Sequence, residues 1–275
     1  MSGISEMLTT VQLPVMPEVG LELVNTLDRE ETTVREIGSL IARDPALSAK
    51  LLALANSAAF GLPRQVATLD AALRLVGLSR LRALALSACL HNAFSMPEGI
   101  ASQPFWSYCM RCAGYASWLV DGTEAEKPLD PQTAWLTALM LRLGQLVIGH
   151  ASPKTVLDIA RQPCPPGQRW HREQLACGFD EGHVMAELAR QWHFPSEMVQ
   201  ALALASDPLA VRPMPPLAAL VHLSARLADT TPANEAAVDT LPVPVMAGLG
   251  LRYGWMKTSF PDPKTFDGAA ALGLG

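Results

Sequence analysis

Apolar residues in this chain recur three and four positions apart, and no stretch alternates β-branched with polar residues for long. The first spacing lines one face of a helix, whereas alternation would mark a strand. An all-α fold is the expectation. Val19, Leu23, Val24 and Leu27 form one stripe, and Val34, Ile37, Leu40 and Ile41 form a second. The punctuation agrees with helices. Thr32 or Thr33 is placed to cap the second stripe, with Glu36 three residues beyond Thr33. Asp44-Pro45 is a cap followed by proline at the first helical position, and the helix it opens should close at Gly61 in the left-handed conformation. Thr68 and Ser79 read as two further caps, with Gly77 as the stop between them.

The pattern breaks between Ser95 and Gln103, among Pro97, Gly99 and the following Pro104. This divides the chain into residues 1–98, residues 99–230 and an extension over 231–275. In the extension, "LPVPVMAGLGL" is the last segment expected to pack, and "DGAAALGLG" reads as a loose tail. With 275 residues, 49% hydrophobic and 17% charged, the chain can bury a real core and is not of disordered composition. A net charge of −5 speaks against a general nucleic-acid binder. The nearby Arg74, Arg80 and Arg82 are read as a solvated helix face. No apolar run approaches the ~18 residues of a membrane span. Met1–Thr10 carries no secretory pattern, and five cysteines are an odd number, so reduced thiols in a cytoplasm are expected.

Few residues carry recognisable chemistry. Cys109 and Cys112 make a CxxC without a second pair to complete a zinc site, inside a segment that reads as the body of a helix. His171, His183 and His193 fall in one stretch with Cys177 and Glu187. Of these, His183 and Glu187 share a helix face at i, i+4, a weak metal signal without an HExxH pattern. No nucleophile elbow and no phosphate-binding glycine loop is present. Asn56 and Ser57, polar and late in an apolar helix, would either contact a ligand or bond the neighbouring loop "GLPRQV". The most pointed feature is "TALMLRLGQLVIGH", Thr137 to His150, which reads as one buried helix with Arg142 at its centre.

Three stretches give that arginine a context. "LPVMPEVGLELVNTL", "IARDPALSAKLLALANSAAFGLPRQVATLDAALRLVGLSRLRAL" and "LAALVHLSARLA" resemble the HDOD domain, the HD-related output domain of bacterial signalling proteins. The resemblance runs roughly from Leu13 to Ala228. It implies a two-part all-helical fold: an N-terminal helical bundle, then a bundle related to HD phosphohydrolases. Those enzymes hold one or two metals with histidines and aspartates from several helices, and the metal activates water and clamps phosphate.

The resemblance also says where the ligands would stand. The first histidine would follow "FW", and Tyr108 is there. The His-Asp doublet falls on Leu141 and Arg142, a further histidine on Glu181, and the last aspartate on Ala225, with His222 off that position. "ALAS", Ala203 to Ser206, replaces the histidines expected after "FPSEMVQAL". No catalytic residue, metal or cofactor is therefore expected. The implied function is a non-catalytic signalling module for a protein partner, a small signal molecule or a nucleotide, with neither nucleic acid nor membrane as partner. The alternative is a divergent phosphohydrolase with metal around Glu181, His183 and Glu187. Arg142 and Glu181, on two former metal-ligand positions, are expected to form a bidentate ion pair, with Asp180 as reserve partner. Otherwise Arg142 snorkels to the surface.

Overall fold

The computed structural model describes residues 2–27, 29, 31–56, 66–124, 129–162 and 164–266. Among these residues there are α-helices and short 3₁₀ turns and no strand. The first part holds α1 (Ser2–Thr10), α2 (Glu18–Val24), α3 (Val34–Ala42), α4 (Pro45–Ala55), α5 (Leu69–Val76) and α6 (Leu78–Ala93). The second holds α7 (Ser102–Val120), α8 (Pro131–Leu141), α9 (Leu143–Ala151), α10 (Pro153–Ala160), α11 (Gln168–Cys177), α12 (Glu181–Gln191), α13 (Ser196–Ala203) and α14 (Pro216–Asp229). A 3₁₀ turn (Glu235–Thr240), α15 (Val243–Gly248), α16 (Tyr253–Thr258) and a final 3₁₀ turn (Pro263–Phe266) follow.

Caps set several of the boundaries. Thr33 accepts from the Glu36 N–H, and Thr68 from the Ala71 N–H. Asp44 Oδ1 accepts from Ala46 N at 2.9 Å and Leu47 N at 3.0 Å. Ser79 is not a cap: α6 starts one residue earlier, at Leu78. Gly77, at φ +88°, ends α5 and serves at the same time as the N-cap of α6, so no further residue is needed to restart the helix. Asn56 takes the loop-bonding role, because Nδ2 donates to Val66 O at 2.8 Å and Oδ1 accepts from Val66 N at 2.7 Å. Ser57, Gly61 and the "DGAAALGLG" tail lie outside the described residues.

One hydrophobic core cluster runs from Leu8 to Met256. The break at Ser95 to Gln103 is the connection between α6 and α7, and it does not divide the packing. Helix α6 is the reason. It is buried almost throughout from Leu81 to Leu90, and it packs both on α2, α4 and α5 of the first part and on α8 of the second. Packing also continues past "LPVPVMAGLGL". Trp255 stacks on Trp118 with centroids 5.1 Å apart, and Phe266 meets Tyr115 at 5.1 Å. Gly114 on α7 and Gly122 in the turn just after it leave room for those rings, since a Cβ at Gly114 would stand 2.3 Å from Phe266 and one at Gly122 2.3 Å from Trp255. The sequence hid this because aromatics spaced by prolines and glycines make no helical stripe.

Thr137 to His150 is two helices and not one. The chain corners at Arg142, with φ −74° and ψ −10°, between α8 and α9. The next turn must pass hard against α12: a Cβ on Gly144 would lie 2.0 Å from the Glu181 carbonyl oxygen. Arg142 thus stands at a corner facing α12.

Candidate functional site

Arg142 is 9% exposed, so its guanidinium neither reaches nor snorkels into solvent. Its Cζ lies 3.2 Å from the centroid of the Tyr108 ring on α7. Nη2 donates to Asp229 Oδ1, at the end of α14, at 3.0 Å. Nε stands 3.4 Å from Glu181 Oε2, at the start of α12, an ion pair without hydrogen-bond geometry. The pair with Glu181 is therefore not bidentate. The guanidinium fork is divided between two carboxylates on different helices, and Asp229 takes the better bond. Asp180 is no reserve. It caps α12 through the His183 N–H and pairs with His183 Nδ1 at 2.8 Å.

The five positions singled out by the resemblance lie together. Tyr108 Oη donates to the Ala225 carbonyl at 3.3 Å. Leu141 closes α8 beside Arg142, and its Cδ1 is 3.3 Å from where a Cβ on Gly182 would stand. Around them is a second ring of groups that sequence reasoning missed. Trp170 Nε1 donates to Glu181 Oε1 at 3.1 Å, and the Glu181 N–H donates to Glu173 Oε2 at 2.8 Å. Arg169 Nη1 stands 3.7 Å from Glu173 Oε1. Only Asp229 carried a signal, since it lies one helical turn beyond Ala225. The others are brought in by α11, which no periodicity ties to α12.

Burial dominates the electrostatics. It works against the Arg142 charge, but Tyr108, Asp229 and Glu181 more than offset it and hold the guanidinium firmly protonated. Burial pushes the Glu181 carboxyl up, against the pull of Arg142 and Arg169. Glu173 is pushed well up, by burial first and by neighbouring Glu181 second. Burial raises the Tyr108 phenol, and it pushes the Cys112 thiol up to about 12. Cys109 is raised well above its ordinary value for the same reason. Both cysteines of the CxxC are wholly buried in α7 as thiols, the unreactive form.

The donors do not suit the metal of an HD centre. Among the described residues, no group of three or more His, Cys, Asp or Glu side chains is arranged to hold a metal. Where the resemblance implies the doublet aspartate stands a cation, Arg142, which would repel one. His183 is engaged with Asp180, and Glu187 pairs with Arg190 one turn on. His222 donates from Nδ1 to Ala205 O at 2.7 Å, and burial lowers its pKa to about 4. Arg74 and Arg80 are exposed, as a solvated helix face requires, and Arg82 is the exception. Arg82 is half-buried and donates to Thr26 O at 2.7 Å.

A family model described as the HDOD domain matches residues 13–208. A protein of Treponema pallidum (strain Nichols), described only as uncharacterized, is 23% identical over 225 residues, covering 79% of this chain and 43% of the relative. The chain thus spans less than half the length of that curated relative. A solved structure of a candidate phosphohydrolase from Shewanella amazonensis SB2B superposes with TM-score 0.78 at 22% identity, over 98% of each chain. A candidate signal transduction protein from Marinobacter aquaeolei VT8 gives 0.82 at 18%, over 99% of this chain and 66% of that one. An HDOD domain protein of unknown function from Geobacter sulfurreducens gives 0.76 at 18%, over 100% and 97%. At these identities the likeness to the solved structures is one of fold.

Proposed function

This chain belongs to the HDOD family, and from that premise we propose that it is a non-catalytic signalling module, which binds a protein partner or a small signal molecule. The observation that carries the reading is the Arg142 guanidinium, held between Tyr108, Asp229 and Glu181; the resemblance implies an HD metal ligand at that position. A metal joins helices by drawing their ligands to one centre. Here a fixed cation draws carboxylates from α12 and α14 and an aromatic ring from α7 to one centre. The scaffold keeps that cross-link without an ion able to activate water. Stripped of catalysis, the domain acts through what it binds. No helix of the described residues is long and apolar enough to cross a membrane.

The test is metal content and turnover of the purified full chain. It is expected to hold no stoichiometric iron, manganese or zinc, and to hydrolyse neither cyclic dinucleotides nor phosphomonoesters when these metals are added. Near-stoichiometric metal, or robust metal-dependent hydrolysis, would overturn the reading. It would favour instead a phosphohydrolase with ligands around Glu181, His183 and Glu187.

A further inference from the structure

A cleft of about 570 Å³ opens between the segment after α1, the end of α6 and α9. It is within the ~300–1,000 Å³ of ordinary ligand sites, and it lies where the first helical part meets the second, a usual place for them. Its lining includes Gln12, Leu13, Val15, Asn92, Val147 and His150, and it shares no residue with the Arg142 cluster. Among the described residues no Asp, Glu, Lys or Arg lines it, so none of them selects a charged ligand.

The backbone of one wall is unusual. From Gln12 to Met16 the chain forms no backbone–backbone hydrogen bond with another described residue. Pro14 and Pro17 hold the residues before them extended, which keeps this wall out of helix. In an extended segment the N–H and C=O groups of alternate residues point to the same edge, so Leu13 and Val15 share one edge. Val15 is 77% exposed, the most open of several exposed large apolar side chains among the described residues, ahead of Leu175 at 74% and Val243 at 68%. Unpaired groups of this kind are a template for another strand. The opposite wall adds two side-chain positions. His150 Nε2 lies 3.0 Å from Ser95 Oγ and 3.1 Å from Ser95 O. The carbonyl can only accept, so Nε2 carries the proton in the neutral ring, and Nδ1 is left as an acceptor without a partner among the described residues. Asn92 uses Oδ1 toward His91 at 3.4 Å and keeps its amide N–H groups.

We infer that this cleft is a docking site for an extended, uncharged peptide segment of a partner protein, which adds its main chain to that of residues 12–16. A peptide backbone is neutral, and it carries the alternating donors and acceptors that an extended edge pairs with. The apolar side chains of Leu13 and Val147 then give pockets for alternate side chains of the guest. The inference rests on the partner-binding half of the function proposed above. Its test is independent of metal, so the two can fail separately.

A displayed library of random twelve-residue peptides is panned on the full chain, with counter-selection on Val15→Pro. That substitution deletes one N–H which the fold does not use, at an exposed position. Peptides enriched on the wild type are expected to bind Val15→Pro and Asn92→Leu about tenfold or more weakly, the loss of one to two hydrogen bonds. N-methylation of alternate peptide residues should abolish binding in one register and spare it in the other. This keeps the test open even if a variant folds poorly. Amide exchange at Leu13 and Val15 should slow on binding. Failure to enrich peptides over the counter-selection would overturn the inference. So would equal binding to Val15→Pro with no register effect, or a cleft that takes uncharged small molecules and excludes peptides.

Discussion

Removing the Arg142 charge should reveal how much of the fold depends on the corner between α8 and α9. Arg142→Met keeps the length of the side chain and strands two carboxylates. Glu181 is wholly buried and would keep only the Trp170 N–H, whereas the Asp229 side chain is 16% exposed and can reach water in part. Breaking one side of a buried ion pair costs about 3–5 kcal/mol, and that is the expected loss. Glu181→Gln and Asp229→Asn each leave Arg142 one carboxylate and should cost less. The couplings should differ as the geometry does. The 3.0 Å hydrogen bond to Asp229 is charge-assisted, and such bonds contribute roughly 1.5–3 kcal/mol. The 3.4 Å contact with Glu181 lacks hydrogen-bond geometry and should couple by about 0.5–1 kcal/mol. Urea denaturation of the four members of each cycle, followed by tryptophan fluorescence, measures both. Additive losses in both cycles would refute the cross-link. A larger coupling to Glu181 than to Asp229 would refute the order of partners.

Gly144→Ala should cost at least about 1–3 kcal/mol, because its Cβ would meet the Glu181 backbone oxygen at 2.0 Å and α9 and α12 must part; a thermal midpoint equal to wild type would contradict it. Asp44→Ala should cost about 1 kcal/mol through two lost cap bonds, and Leu51→Ala, at a side chain 1% exposed, about 2–5; equilibrium denaturation reversing that order would count against both assignments. His222 should make the protein less stable in acid. The unfolded ring takes its proton at the ordinary 6.5 and the folded one only at about 4, so stability is full above 6.5 and falls as pH drops toward 4. That gap corresponds to about 3 kcal/mol, read as the difference in pH dependence between wild type and His222→Gln; parallel profiles would sink it.

How much of this could be read from the sequence depended on the range of the physics involved. The all-helical class was legible because helical periodicity and caps act within a few residues: Thr33 binds the Glu36 N–H, Thr68 the Ala71 N–H, and Asp44 the first turn of α4. The resemblance to the HDOD domain was legible for a related reason, since long runs such as "DPALSAKLLALANSAAFG" are local strings. The apolar setting of Arg142 showed that it needed a partner, and the positions of Tyr108, Glu181 and Ala225 marked where to look. What the sequence did not contain was the division of one guanidinium between two carboxylates. Asp229 lies 87 residues from Arg142, and the approach of α9 to α12 at Gly144 turns one apparent helix into two. Nor did it contain Trp170 and Glu173 behind Glu181, or the unpaired backbone beside α9. Such contacts arise only when separate helices pack, because a buried charge takes whichever partner the packing brings within about 3–4 Å. No residue spacing along the chain encodes that distance.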